Sequence, residues 1–256
     1  MGRVFAMADL HGMFELYQQI KDFLEPDDKV YCLGDMGDRG TKCWETIKAT
    51  MNDPQFKCLK GNHEDLLIKA MKVWFRVPED EKEYFWYSKE ANLLRYNGGK
   101  KTLEGWVKES PSKRSKWYRC IQELPTHFEY KNKDGKWIYM SHAGFTPYDY
   151  NIFPKEQDLI WDRDHYLYGW PYDAPDDIII IHGHTPIPYI VDDLHRFSHG
   201  PYDFPNLPCA YWYAENHKCC IDNGAFYYNC IVLLDLDTFE EHKFYTADYN
   251  PELKWN

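Results

Sequence analysis

The chain has 256 residues, 44% of them hydrophobic, and its 41 Asp+Glu against 30 Lys+Arg give a formal charge of −11. That length supports a substantial core, while the acidic excess excludes a surface that holds nucleic acid or anionic membrane by charge alone. No apolar run approaches the ~20 residues of a membrane span, and eight scattered cysteines without a C-x-x-C pair fit a reducing cytoplasm better than a disulfide framework.

The chain enters a strand at residues 4–8 with no charged-then-apolar signal segment before it. Residues 13–23 have helical spacing in Met13, Leu16, Tyr17, Ile20 and Phe23. A strand at 30–33, a helix at 41–51, a strand at 56–59 and a helix at 64–73 follow. Such alternation predicts parallel β–α–β units with right-handed crossovers, whose ligands gather at the carboxyl ends of the strands. From about 74 to 117 the chain is charged and aromatic and carries Asn97-Gly98-Gly99. It reads as a helical, cap-like insertion within a single domain spanning 1–256, its charge run at 79–83 forming a solvated helix face. After Leu124-Pro125, strands are expected at 128–130, 137–140, 178–181, 218–221, 230–236 and 242–245. The β-branched run at 178–181 suits a strand buried on both faces. Residues 195–216, rich in Pro, Tyr and Phe, read as a long surface loop, and Cys219-Cys220 as a strand pair with one thiol buried.

Each of the first three strands ends in side chains that seek metal: Asp9-Leu10-His11-Gly12, Gly34-Asp35-Met36-Gly37-Asp38-Arg39-Gly40 and Gly61-Asn62-His63-Glu64. Ser141-His142-Ala143-Gly144, Trp161-Asp162-Arg163 and Gly183-His184-Thr185-Pro186 come later in the chain. Residues two apart on a strand point the same way, so Asp9 and His11 can grip one cation. Asp35 can bridge it to a second, whose shell Asn62, His142 and His184 complete. Oxygen and imidazole donors without thiolate suit Mn²⁺, Fe or Zn²⁺. Two such ions would bring the pKa of a shared water from 15.7 towards about 7 and aim the resulting hydroxide in line at phosphorus. His63 is the candidate general acid, Asp38 its hydrogen-bonding partner, and Arg39 and Arg163 the candidate forks for phosphate oxygens.

Taken singly, Asp9 could begin a helix and Asn62 with Asp65 could form a capping box. His142 or His184 alone would read as a buried structural histidine. Six motifs in order at strand ends make these separate readings improbable together. His182 stands two residues before His184, and spacing alone leaves open which of the two is the ligand. The aromatic clusters at 166–170 and 211–213 could stack on a nucleobase or a phosphotyrosine ring, although ordinary packing is the commoner role of such residues.

The motif set resembles the metallophosphoesterases, specifically the phosphoprotein phosphatase family with its hallmarks GDxHG, GDxxDRG and GNHE. The chain departs from these only at Ala8, where the first motif has glycine. The strings around His142, Leu159–Arg163, His184 and Ile221–Ala225 extend the resemblance over roughly residues 3–240, and Asn97-Gly98-Gly99 with Thr102 resembles the small bacterial and bacteriophage serine/threonine (and tyrosine) protein phosphatases. The resemblance implies an α/β fold of two mixed β-sheets packed as a sandwich and flanked by helices, a four-layer αββα arrangement. It implies a dinuclear centre filled by Mn²⁺, held by Asp9, His11, Asp35, Asn62, His142 and His184, with Asp38, Arg39, His63 and Arg163 in catalysis or phosphate binding. The implied substrate is a phosphoprotein or phosphopeptide. A neighbouring branch, the symmetrical diadenosine tetraphosphate hydrolases, uses the same metals on a dinucleoside polyphosphate. There the second motif usually lacks the aspartate before Arg-Gly and continues with Pro, so Asp38-Arg39-Gly40-Thr41 tilts the expectation towards the protein phosphatases. A non-catalytic scaffold of this fold would be expected to have lost ligands, whereas this chain keeps all ten positions.

Overall fold

A computed structural model describes residues 2–147, 154–198 and 205–251. Its strands are β1 (Val4–Met7), β2 (Lys29–Cys32), β3 (Phe56–Cys58), β4 (His127–Lys131), β5 (Trp137–Ser141), β6 (Ile178–His182), β7 (Tyr211–Tyr213), β8 (Lys218–Cys220), β9 (Cys230–Asp235) and β10 (Glu241–Tyr245). They form two five-stranded sheets, ordered β10-β9-β1-β2-β3 and β4-β5-β6-β8-β7. In the first, β1, β2 and β3 run parallel and β9 and β10 antiparallel. In the second, β5, β6 and β8 run parallel between the antiparallel edges β4 and β7.

Strand alternation assigns each side chain to a layer. Ala6 and Ala8 meet Leu33, Met140, Ile179, Ile181, Cys219 and Val232 between the sheets. Phe5 and Met7 point the other way, onto a cluster built with α1 (Phe14–Phe23), α2 (Cys43–Asn52) and α3 (Asn62–Arg76). Trp74, Phe85, Leu94, Leu103, Trp106 and Trp117 join that same cluster. They come from the end of α3, a 3-10 turn at Glu79–Tyr87, and from α4 (Lys89–Tyr96), α5 (Lys100–Val107) and α6 (Pro111–Gln122). Beyond the second sheet lie α7 (Glu156–Trp161) and α8 (Ile187–Ser198), with Leu159 and Ile160 on Ile180, and Ile187, Ile190 and Val191 on Cys220. The last helix, α9 (Ala225–Tyr228), is a single turn. The observed architecture is the helix-flanked two-sheet sandwich.

The expected elements are present, their ends displaced by up to three residues. Ile178–His182 is covered on both faces, and Glu79, Asp80, Glu81 and Glu83 face solvent. The reading of 195–216 as a loop is corrected at both ends. Residues 195–198 finish α8, whose Ile187, Ile190, Val191 and Leu194 form the apolar stripe, and 211–213 pair with β8. Residues 199–204 lie outside the described residues. Cys219 and Cys220 are both buried, because β8 lies inside its sheet with a packed layer on each side. All eight cysteines are free. Among the described residues, no helix is long and apolar enough to cross a membrane.

Candidate metal centre

The six parallel strands end along one edge of the sandwich, and each delivers one part of a single polar cluster. After β1 come Asp9 and His11; after β2, Asp35, Asp38 and Arg39; after β3, Asn62 and His63. After β5 comes His142, after β6 His184 and after β8 Asp222. The chain turns sharply as it leaves the sheets. Asp9, His11, Asp35, Asp38, Arg39 and His184 all have positive φ, between 44° and 69°. A non-glycine residue held there carries about 1–3 kcal/mol of strain and persists only where its surroundings over-determine it. Here His11 N–H donates to Asp35 O (2.9 Å), Gly12 N–H to Met36 O (2.9 Å), and Gly183 N–H to His142 O (2.9 Å). Gly61 must be glycine, since a Cβ there would overlap the Asp35 carboxylate.

Ring orientation is set from behind. His142 Nδ1 faces Leu33 O at 2.8 Å and His11 Nδ1 faces Gly37 O at 3.0 Å, so each Nδ1–H donates and each Nε2 presents a lone pair. His142 Nε2, His184 Nδ1 and Asn62 Oδ1 lie 2.8–3.1 Å from one another. Asp35 turns Oδ1 towards His142 Nε2 (3.5 Å) and Oδ2 towards His11 Nε2 (3.7 Å). Asp9 Oδ1 and His184 Nε2 are buried without a hydrogen-bond partner. A buried carboxylate oxygen left unpaired is unfavourable by several kcal/mol, and crowded lone pairs suit a cation. Two groups with cation-sized spacing share Asp35: Asp9, Asp35 and His142, and His11, Asp35 and His63. The donor set therefore fits two divalent ions. His63 enters the second group although the sequence assigns it to proton transfer.

Electrostatics separates the histidines. Burial lowers the pKa of His11, His142 and His184, helped at His11 by Arg39 and at His184 by His142. Neutral imidazoles are what a metal requires. His63 goes the other way: burial opposes its charge, but the Asp35 charge and the Asp38 hydrogen bond raise it. Burial would raise Asp35, yet His142, His63 and His11 hold its carboxyl well below the usual range. Asp9 is pushed up by burial and then by Asp222 and Asp35, a crowding of like charges that a cation would relieve.

His63 Nδ1 meets Asp38 Oδ2 at 2.6 Å, leaving Nε2 towards the cluster. Arg39 reaches His11 Nε2 (2.8 Å) and His63 Nε2 (3.2 Å), and the exposed Arg163 lies at the rim, 3.4 Å from Thr185 Oγ1. All ten expected residues thus gather at one edge. His182 does not join them: it bonds Gly183 O and Tyr213 OH, and burial lowers it to about 3. The alternative Asn62–Asp65 capping box does not form: Gly61 is the N-cap, Glu64 accepts from its N–H (2.9 Å), and Asn62 is left to face the histidines. Glu64 additionally accepts from the Asp35 and Met36 N–H groups (2.8 and 3.0 Å), a supporting role visible in the sequence only as the last letter of a motif. Asp222, likewise unassigned from sequence, accepts from Gly224 N–H, and burial pushes it up to about 7.

The profile of the calcineurin-like phosphoesterases matches residues 2–222, a span that includes every one of these groups. The chain belongs to the calcineurin-like phosphoesterases. Fold and paired metal groups together make this phosphoesterase a metal-dependent hydrolase. Among solved structures, that of "a putative diadenosine tetraphosphatase" superposes with a TM-score of 0.57 at 13% identity, over 96% of this chain and 95% of that one. A metallophosphoesterase from Sphaerobacter thermophilus gives 0.53 at 13%, over 96% and 88%. A cold-active protein-tyrosine phosphatase of a psychrophilic Shewanella species gives 0.48 at 14%, over 95% and 77%. At such identities the likeness is one of fold. A search of curated proteins returned no match.

Proposed function

We propose that this phosphoesterase cleaves dinucleoside polyphosphates, with Asp9, His11 and Asp35 holding one divalent cation and Asp35, Asn62, His142 and His184 the other. Mn²⁺ suits the donor set, and Fe or Zn²⁺ would also fit it. Bound there, the ions would supply a nucleophile from water at neutral pH and clamp phosphoryl oxygens. The chain's own groups do the rest: Arg39 and Arg163 orient the phosphoryl group, and His63, aligned by Asp38, gives its proton to the leaving oxygen. One observation carries the substrate class. Tyr227, 45% exposed, lies under Arg39 with its ring centroid 5.9 Å from the guanidinium carbon. Phe226 is beside it, and Tyr189 of α8 lies within electrostatic reach of Tyr227, Arg163 and Arg39. Aromatic faces beside phosphate-binding arginines suit a base attached to a polyphosphate. The name "putative diadenosine tetraphosphatase" borne by one of the superposed structures points to the same substrate class. The clusters singled out from sequence are otherwise engaged: Tyr166 bonds Asp193, Trp170 stacks on His217, and Tyr211–Tyr213 is β7.

The Asp38–His63 pair favours a second reading, a serine/threonine or tyrosine protein phosphatase. A serine alkoxide needs a proton far more than a nucleoside phosphate does, so a buried, aligned acid suits the phosphopeptide better. We read residues 74–117 as a cap-like part of one domain with the rest, because their apolar side chains join the cluster under β1. The free thiols support a reducing, cytoplasmic setting. The test compares kcat/KM of the Mn²⁺-loaded protein on diadenosine tetraphosphate and on phosphoserine and phosphotyrosine peptides. The dinucleotide is expected to win, with Tyr227→Ala weakening its use by about fivefold or more. Preference for peptides establishes the second reading. No turnover of either, with both metals bound, overturns both.

A further inference from the structure

Two features of the Asp38 turn call for support beyond the motif itself. Asp38 and Arg39 are consecutive residues with positive φ, 66° and 61°, and such a pair is stable only if neighbouring groups hold it. The support comes from the helical stretch 74–117. Gly98 O accepts the Arg39 N–H at 3.0 Å, and Thr102 Oγ1 accepts the Asp38 N–H at 3.0 Å. Thr102 is fully buried on the first turn of α5. Because its oxygen accepts from a backbone N–H, its single proton is free to point elsewhere, and it donates to Asp38 Oδ1 in a short hydrogen bond. One hydroxyl thus bridges the backbone and the carboxylate of the same residue, fixing the rotation of the side chain. The other oxygen, Oδ2, is left facing His63 Nδ1 at 2.6 Å. The close approach needs the two glycines ahead of the helix. A Cβ on Gly98 would stand 2.8 Å from Arg39 Cγ, and one on Gly99 2.9 Å from Asp38 Oδ2.

We propose that Thr102 is a positioning residue for proton transfer: it holds Asp38, and through it the His63 ring, so that α5 is part of the catalytic apparatus. The proposal rests on His63 as the proton donor. It assigns the Gly98–Thr102 stretch a task in the chemistry, separate from any part residues 74–117 play in choosing substrates.

The test uses Thr102→Val, which keeps shape and removes the hydroxyl, and Thr102→Ser, which keeps the hydroxyl. Assays pair an alkyl phosphate, whose leaving group needs a proton, with 2,4-dinitrophenyl phosphate, whose leaving group does not. Thr102→Val is expected to lower kcat about 10–100-fold on the first and less than about threefold on the second, a fraction of what a whole general acid supplies. Thr102→Ser should recover most of the loss. In a His63→Asn background, Thr102→Val should add little, since both act through one ring. Equal losses on both esters, or additive losses in the double variant, would overturn the proposal. A second readout is independent of turnover: the low-field imidazole N–H proton of His63 against Asp38, observed by NMR in the full chain. Wild type and Thr102→Ser should show it, and Thr102→Val should shift or lose it. An unchanged resonance in Thr102→Val refutes the positioning role whatever the assays give. If Thr102→Val does not fold, Thr102→Ala takes its place in both measurements. If wild type is inactive on every ester but the resonance follows the hydroxyl, the functional reading fails and the positioning of the dyad stands.

Discussion

At the scale of the residue, Asp35 joins the two halves of the centre. Its Oδ1 accepts the His63 N–H at 3.0 Å and faces His142, while its Oδ2 faces His11. Three histidines keep it ionised against a burial that would protonate it, whereas Asp9, crowded by Asp222 and Asp35, is driven the other way by the same burial. Asp35 is also the residue shared by the two groups with cation-sized spacing. We predict that Asp35→Ala loses both ions together, with kcat falling about 10³-fold or more as the electrostatic clamp is removed. Elemental analysis after gel filtration checks this directly. Two tightly held metals in the variant would contradict the bridging role, and a single retained metal would restrict Asp35 to one position.

At the scale of the element, the strands are registered by polar clamps as well as by apolar contact. Asp28, buried just before β2, accepts from Arg3 N (2.8 Å), Nε (3.1 Å) and Nη2 (2.6 Å), and from Glu25 N (3.0 Å). Lys29 N–H in turn donates to Arg3 O, aligning β2 with the start of β1. Burial works to raise the Asp28 carboxyl, but Arg3 and the backbone donors leave it lowered. A carboxylate whose folded pKa lies below its unfolded value of about 3.9 stabilises the fold above that pH and stops doing so as pH falls through the folded value. Arg3→Met is therefore expected to lower Tm by several degrees at pH 7, for a loss of roughly 1–3 kcal/mol. The gap from wild type should narrow as the pH falls through the lowered Asp28 pKa. A gap that persisted unchanged at low pH would mean that Arg3 acts through packing on Phe5 and Phe23, over which its guanidinium also lies. Elements of this kind were legible where period and burial agree. Phe5 and Met7 against Ala6 and Ala8 mark a two-faced strand, and the isoleucines of β6 mark a covered one. Pro188 at the start of α8 and the three-residue length of β7 hid those elements. In the site, residues that ligate or carry charge were visible as motif letters. Thr102 stands out in the sequence only as a letter after the Asn97-Gly98-Gly99 string, with no task attached, and Tyr227 not at all, because both come to the site by approach in space from helices far along the chain.

At the scale of the whole molecule, the centre lies across the seam between the sheets. Asp9, Asp35 and Asn62 come from the ends of β1, β2 and β3 in one sheet, and His142 and His184 from β5 and β6 in the other. Cations held by these groups would cross-link two sheets that otherwise meet through an apolar seam and bonds such as His142 Nδ1–H to Leu33 O. Without them, Asp9, Asp35, Glu64 and Asp222 remain buried within one neighbourhood of a chain whose net charge is −11. Each ion bound only by the folded state contributes about 2.7 kcal/mol at a hundred times its Kd. For a chain of this size, two such ions amount to a Tm shift of roughly 10–20 °C. Exhaustive chelation is expected to abolish turnover, and Mn²⁺ to restore it. The same titration should move a single cooperative melting transition upward, because the ions tie both sheets into one unit. Two separated transitions in the chelated protein would show that the sheets can melt apart and that the ions alone couple them. Full turnover in protein shown by elemental analysis to be metal-free would end the metal reading, and the unpaired Asp9 Oδ1 would then need a proton as its partner.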